Sequence, residues 1–281
     1  MPTKQKLRCF NARVGTDLSY CRITGIEVLE DGRILLCDNN NDKVKLFQYD
    51  GTFLSDYFVE GFPIDLCMIN QYTIVVTNDI GNKLVFLKIV GDKILHEKDA
   101  QITPGAVGIC AIDGELLLTY PWCNPPEIVK IDEQGYVIQT FKRDAKGKAI
   151  FDARPVSVCF FSNQIYASCL SIDGKKDEIY KFSKDGHILA ILEHPKLKEA
   201  RYVSKDMFGN IYVCSMLKSS IIRFDRSEHS SRVVMSIQDG LRGPCAIGIL
   251  DQTLVIAQAG LDIIQVLTIE RFSENDVRVK Q

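Results

Sequence analysis

Four polar residues in this chain have side chains of the kind that bind hard cations. Asp38, Asn78 and Gln258 each end a short apolar run, and Asp65 lies within another. Carboxylate and amide oxygens are the ligands that Ca²⁺ takes in proteins, and a bound cation can activate a substrate for hydrolysis. A calcium site usually collects several carboxylates, whereas this set contains two. We therefore predict no metal site, with these residues lining a wet channel, and keep cation-dependent hydrolysis as a less favoured alternative.

Familiar catalytic motifs are absent from the sequence. It contains no Gly-x-Ser-x-Gly, no glycine-rich phosphate loop and no His-Glu-x-x-His. The four histidines are scattered along the chain, and no two of the ten cysteines have the Cys-x-x-Cys spacing of a zinc site. We predict no catalytic residues, no cofactor and no enzymatic activity.

Basic residues are concentrated in the middle of the chain. We call this set the basic crescent: Lys142, Arg143, Lys146, Lys148, Arg154, Lys175, Lys176, Lys196, Lys198, Arg201 and Lys218. Acidic residues in the same stretches offset part of the charge. Phosphate contacts from such a set favour weak, salt-sensitive RNA binding, and a solvated rim of mixed charge is the alternative.

The segment 120–126 combines aromatic residues with prolines. It contains Trp122, which is the one tryptophan of the chain, and Tyr120. A stiff aromatic loop loses little entropy on contact and makes a good interface anchor. Tyr120, Trp122 and Phe151 are the aromatic residues placed to stack on RNA bases. The alternative is that Trp122 folds back over the edge of its own sheet.

These residues occupy fixed places in six similar segments of about 44 residues. Each segment contains three apolar runs of strand length, and most continue into a fourth. The third position after the opening is always aliphatic, and the next is small in five segments. The segments open at Ile23, Pro63, Ala106, Pro155, Ala200 and Pro244, and the small residues are Cys67, Cys110, Cys159, Ser204 and Gly248.

Four short strands per repeat predict an all-β, six-bladed β-propeller of four-stranded antiparallel blades. The last segment lacks a fourth strand, so we expect the N-terminal strand at 6–11 to complete it and close the ring. The loops that join second to third strands, and fourth strands to the next blade, then share one face, here called the loop face. The predicted blades span 22–59, 60–100, 101–142, 150–193, 199–238 and 243–270 with 6–11, and 271–281 forms a polar tail within a single domain spanning 1–281.

Composition limits the partners. The chain has 34 basic and 36 acidic residues, so no global field attracts DNA or membranes. No apolar run reaches the roughly 20 residues that span a bilayer, and the N-terminus lacks the apolar core of a signal peptide. We expect a cytoplasmic protein with reduced thiols, in which Cys67, Cys110 and Cys159 act as small buried groups.

The segments resemble NHL repeats. The first one carries Gly25-Ile26, Asp31-Gly32, Ile34-Leu35-Leu36-Cys37-Asp38 and Asp50-Gly51 in the order of that repeat. The likeness covers nearly the entire chain, and the chain resembles the C-terminal domain of TRIM-NHL ubiquitin ligases. The resemblance implies a platform that selects a protein or RNA partner.

We therefore predict a non-catalytic module that binds a protein partner through its loop face, as the substrate-selecting part of a ubiquitin-ligase system. RNA binding through the basic crescent is the alternative. A hydrolase similar to the calcium-dependent lactonase propellers, using Asp38, Asp65 and Asn78, is less favoured. The predicted binding residues are Tyr120, Trp122, Lys142, Arg143, Lys146, Lys148, Arg154, Lys175, Lys176 and Arg201.

Overall fold

The computed structural model of the chain describes residues 7–78, 80–144, 146–174, 176–228 and 230–268. They form 24 strands and two short 3₁₀ helices. The strands are β1 (Leu7–Asn11), β2 (Ile23–Val28), β3 (Ile34–Asp38), β4 (Lys43–Phe47), β5 (Phe53–Phe58), β6 (Pro63–Met68), β7 (Thr73–Asn78), β8 (Lys83–Val90), β9 (Lys93–Gln101), β10 (Ile109–Ile112), β11 (Glu115–Tyr120), β12 (Glu127–Ile131), β13 (Val137–Phe141), β14 (Ala153–Phe161), β15 (Gln164–Ser171), β16 (Glu178–Ser183), β17 (Ile188–Leu192), β18 (Ala200–Lys205), β19 (Ile211–Ser215), β20 (Ser220–Phe224), β21 (Ser231–Met235), β22 (Pro244–Leu250), β23 (Thr253–Gln258) and β24 (Ile263–Thr268).

The strands pair into six four-stranded antiparallel sheets, which confirms the predicted propeller. Each of the first five blades uses four consecutive strands, from β2–β5 to β18–β21. The sixth has the order β1-β24-β23-β22. The 3₁₀ helices are Asn39–Asn41 and Ile237–Asp239. No helix among the described residues has the length and apolar character needed to cross a membrane.

The N-terminal strand closes the ring, as predicted. Residues Leu7 to Asn11 of β1 pair antiparallel with β24. Phe10 then packs on the first blade, with its ring centroid 5.1 Å from that of Phe47. Gly51 has a φ of +91°, and a Cβ there would lie 2.3 Å from the Phe10 side chain. β1 thus joins the last blade by backbone hydrogen bonds and the first blade by side-chain packing.

The core lies between neighbouring blades, where the small-residue position of each repeat is buried. Cys67, Cys110 and Cys159 are at most 9% exposed, and all three are free thiols. At the same position Gly248 faces the first blade, and a Cβ on it would lie 2.7 Å from Ile26 Cγ2. Five of the six blades have small residues here, where the inner strands crowd together near the axis, and the first blade has Glu27 instead.

Candidate functional site: the mouth of the central channel

The loop face opens into a cavity of about 880 Å³ at the mouth of the central channel, here called the mouth pocket. Six residues form its wall, one from each repeat. Each of them directly follows the residue that opens its repeat, and each lies in an inner strand or in the loop that leads into that strand. These residues are Thr24, Ile64, Val107, Val156, Arg201 and Cys245. The repeat pattern in the sequence therefore contains the signal for this wall, although of these six residues only Arg201 is among the predicted binding residues.

The wall has two unlike halves. Blades two to four present the aliphatic side chains Ile64, Val107 and Val156. Blades five, six and one present Arg201, Cys245 and Thr24, and Arg22 lies just ahead of Thr24 in the same lining. The pocket is therefore apolar on one side and cationic on the other.

The floor of the mouth pocket contains a hydrogen bond that crosses the channel. The Tyr202 hydroxyl donates to Asp65 Oδ1 at 3.0 Å, and the two residues belong to blades five and two, which are opposite each other in a ring of six. Asp65 also accepts from the backbone N–H groups of Leu66 and Ile109. Burial raises the pKa of the Asp65 carboxyl to about 7, although these hydrogen bonds act in the opposite direction.

Aromatic side chains form part of the rim. Tyr20, Phe62 and Trp122 line the pocket, and they are 69%, 44% and 64% exposed. The Arg154 guanidinium lies over the Trp122 ring at 4.7 Å, and the Arg13 guanidinium lies over the Tyr20 ring at 5.2 Å. Cation–π stacking fixes these rings in place while leaving much of their surface in solvent.

The structure places some of the predicted binding residues at the mouth pocket and buries others. Trp122 and Arg201 line the mouth pocket, and Arg154 reaches it through its contact with Trp122. Tyr120 is only 2% exposed, and its hydroxyl donates to the Thr103 carbonyl at 3.2 Å, so its ring is not a surface contact. Phe151 is likewise buried, because it packs between the rings of the fourth blade.

Other members of the predicted set lie outside the pocket wall. Four of them, Lys142, Arg143, Lys146 and Lys148, belong to or flank a hairpin loop between the third and fourth blades, and Lys176 lies in the loop between β15 and β16. Lys175 lies outside the described residues.

Part of the charge of the basic crescent is neutralised within the protein. Lys142 pairs with Glu127 at 2.9 Å, Lys176 pairs with Glu193, and the Arg201 Nε donates to Glu199 at 2.8 Å. The remaining potential for phosphate contacts is correspondingly smaller.

The polar residues that end the second strands bind the loops that lead into their own blades. Asp38 accepts a hydrogen bond from the Arg22 backbone N–H at 2.9 Å, and Gln258 accepts one from the Arg242 N–H at 2.5 Å. Asn78 donates to a backbone carbonyl of the preceding loop. Backbone groups therefore occupy these side chains, and the structure does not assemble the cation site that the sequence offered as a less favoured alternative.

Asp38 belongs to a buried ion-pair cluster. Within the described part of the chain, Asp17, Cys21 and Asp38 are the one group of acidic or thiol ligands close enough to share a metal ion. The Lys45 ammonium is already there, 2.5 Å from Asp17 and 2.6 Å from Asp38. A lysine therefore supplies the positive charge that a metal would supply.

Comparison with known proteins supports the fold. No protein-family model matches the chain, and no curated protein is similar to it in sequence. Virginiamycin B lyase from Staphylococcus aureus has a TM-score of 0.64 at 13% identity, over 95% of this chain and 100% of that one. A structural genomics protein of unknown function from Bacteroides thetaiotaomicron has a TM-score of 0.72 at 13% identity, over 95% and 77%. A propeller in the nidogen/laminin complex has a TM-score of 0.61 at 16% identity, over 79% and 83%.

The fold and the mouth pocket define a six-bladed β-propeller whose structural neighbours have varied functions. At these identities the likeness shows the fold alone. No family model matches the chain, so its assignment to the NHL or TRIM families is not shown.

The prediction was wrong to exclude enzymatic activity, because solved structures that share this fold include enzymes, among them several virginiamycin B lyases. The prediction depended on the absence of short catalytic motifs. A propeller brings side chains together from different blades, as Asp65 and Tyr202 meet here, and no local motif records such a pair.

Proposed function

We propose that this protein binds a protein partner through the mouth pocket and the loops around it. The observation that carries the proposal is Trp122, a large aromatic side chain held by Arg154 at the rim of an open pocket and still 64% exposed. Exposed, rigid aromatic side chains with a neighbouring arginine are the residues that dominate binding energy in protein interfaces.

The proposed contact surface includes the basic loops beside the pocket. It comprises Trp122, Arg154 and Arg201 at the pocket, with Lys142, Arg143, Lys146, Lys148 and Lys176 on the neighbouring loops. We propose that the pocket residues anchor the partner and that the lysines steer it, since exposed charges affect association rates more than affinity.

The experiment is affinity capture from cell lysate with the intact chain, with and without nuclease, using Trp122→Ala against the native protein. Tyr136→Ala is the matched control, because Tyr136 is 73% exposed in a turn between third and fourth strands, on the opposite face. We expect a protein that survives nuclease to be lost with Trp122→Ala and kept with Tyr136→Ala. Equal capture by both variants would refute the assignment of the mouth.

A narrower role follows from the resemblance to NHL repeats, namely substrate selection in a ubiquitin-ligase system. Recovery of a ubiquitin ligase among the Trp122-dependent partners would support that role. Recovery that depends on nucleic acid and falls with Lys146→Glu and Lys148→Glu would instead favour RNA as the partner of the basic crescent.

A further inference from the structure

The cationic half of the mouth pocket has small side chains between two arginines. Blade six contributes only small side chains to this part of the lining, namely Cys245, Ala259 and Gly260. Arg201 from blade five and Arg22 from blade one flank it. Both guanidiniums are close enough to Cys245 to favour its thiolate, although burial dominates and raises the pKa of that thiol to about 12.

Arg22 is available to a ligand. Its backbone is fixed by the hydrogen bond to Asp38, but its exposed guanidinium makes no hydrogen bond or ion pair with any described residue. Arg201 is partly held by Glu199. A guanidinium offers several donors in a plane, which matches the geometry of a carboxylate.

Few acidic groups compete for Arg22. Asp65 is the one carboxylate among the residues that line the pocket, and it is 3% exposed at the floor. Both of its oxygens already accept hydrogen bonds from Tyr202, Leu66 or Ile109. The exposed charged side chains that line the pocket are therefore arginines, and Arg154 lies beside them over Trp122, so this half of the pocket complements a negative group.

The opposite half of the pocket suits an apolar side chain. Ile64, Val107 and Val156 form its wall, and Phe62 and Trp122 extend the apolar surface to the rim. The cavity of about 880 Å³ has room for more than one side chain of a peptide. A ligand that fills the pocket must present an apolar group on one side and a negative group on the other.

We infer that the mouth pocket binds a peptide segment in which an apolar side chain stands next to a carboxylate, with the carboxylate between Arg22 and Arg201 and the apolar side chain against Ile64, Val107 and Val156. This inference rests on the proposed function and gives the chemistry that the partner must present. The carboxylate comes either from a C-terminus or from an Asp or Glu side chain.

The test uses two pooled libraries of N-acetylated hexapeptides, one with free C-termini and one amidated, selected on the immobilised full chain. We expect retained peptides to be enriched in an apolar residue beside a carboxylate. Enrichment that vanishes in the amidated library assigns the C-terminus, and enrichment that persists assigns the side chain. Arg22→Gln is expected to lower the enrichment of such peptides about tenfold, which is the effect of losing one charged hydrogen bond.

Arg226→Gln is the matched control, since Arg226 is exposed in a turn on the opposite face and its loss changes the net charge equally. It should leave the enrichment unchanged. Selection that ignores acidity and apolar character, or an equal response to both arginine variants, would overturn the inference.

The two proposals fail separately. Trp122-dependent capture of a protein, combined with no preference for carboxylates, would keep the protein-binding role and reject the carboxylate site. A carboxylate preference lost with Arg22→Gln, but without Trp122-dependent capture, would keep the site and reject the interface around Trp122. Capture of partners from lysate only in the presence of nucleic acid, together with no preference for carboxylates among the peptides, would reject both proposals.

Discussion

Lys45→Met is expected to destabilise the protein strongly, because Lys45 neutralises two carboxylates that are hidden from water. The side chains of Lys45, Asp17 and Asp38 are each 0% exposed, and the ammonium also donates to the Ala12 carbonyl at 3.1 Å. Removing one partner of a buried ion pair leaves an uncompensated charge and costs about 3–5 kcal/mol. For a domain of this size, that loss lowers the melting temperature by about 10 °C.

The assay is urea and thermal unfolding followed by circular dichroism at neutral pH. Lys83→Met is the matched control, because Lys83 pairs with Asp99 at 2.7 Å in a contact that is 24% and 30% exposed. An exposed pair contributes about 1 kcal/mol or less, so this variant should melt close to the native protein. A Lys45→Met protein as stable as Lys83→Met would show that water or a rearrangement neutralises the cluster.

The dependence on pH supplies a second check on the cluster. Burial alone would raise the pKa of Asp17, but hydrogen bonds from Lys45, the Val14 backbone and Lys43 outweigh it and hold the pKa below its usual value. A carboxyl whose pKa is lower in the folded state stabilises the protein at pH values above its unfolded-state pKa. This stabilisation is lost as the pH falls through the folded-state pKa. The difference between native and Lys45→Met proteins should therefore narrow in acid.

Two further predictions concern ring closure and the channel floor. Deleting residues 1–11 removes the β1 pairing and the Phe10 contact with Phe47, so we expect aggregation or a melting temperature lower by about 10 °C or more; native-like melting would refute the closure. Because the pKa of Asp65 is about 7, the folded protein keeps a proton that the unfolded chain releases above about pH 4. Stability should fall as pH rises from about 4 to 7, and Asp65→Asn should flatten that fall in urea midpoints, whereas an unchanged slope would contradict the assignment.

The sequence predicted the fold because the features that define it repeat. Small residues such as Cys110 and Cys159, at one position in successive segments, reveal crowding near an axis that any single segment would hide. The N-terminal strand was predictable from the missing fourth strand of the last blade. Hydrophobic periodicity and closure together leave few alternatives for such a chain.

The site was less predictable, because the pattern does not record which way a polar group at a strand end points. Asp38 and Gln258 seemed to offer ligands, but each binds the backbone of the loop before its blade. Tyr120 also ends a second strand and was predicted to bind a partner, but its hydroxyl donates to the Thr103 carbonyl within the protein. Arg22 was missed because nothing in a linear segment shows that blade six leaves room beside it.

The pairing of β1 with β24 also determines on which face of the propeller the described chain begins and ends. Leu7 lies opposite Leu267 in this ladder, and both are at the end of the blade remote from the loop face. Anything joined to the chain at Leu7 or Thr268 therefore starts behind the propeller, and the mouth pocket points away from it. A surface or a larger assembly that held the propeller at Leu7 or Thr268 would leave its mouth facing outward.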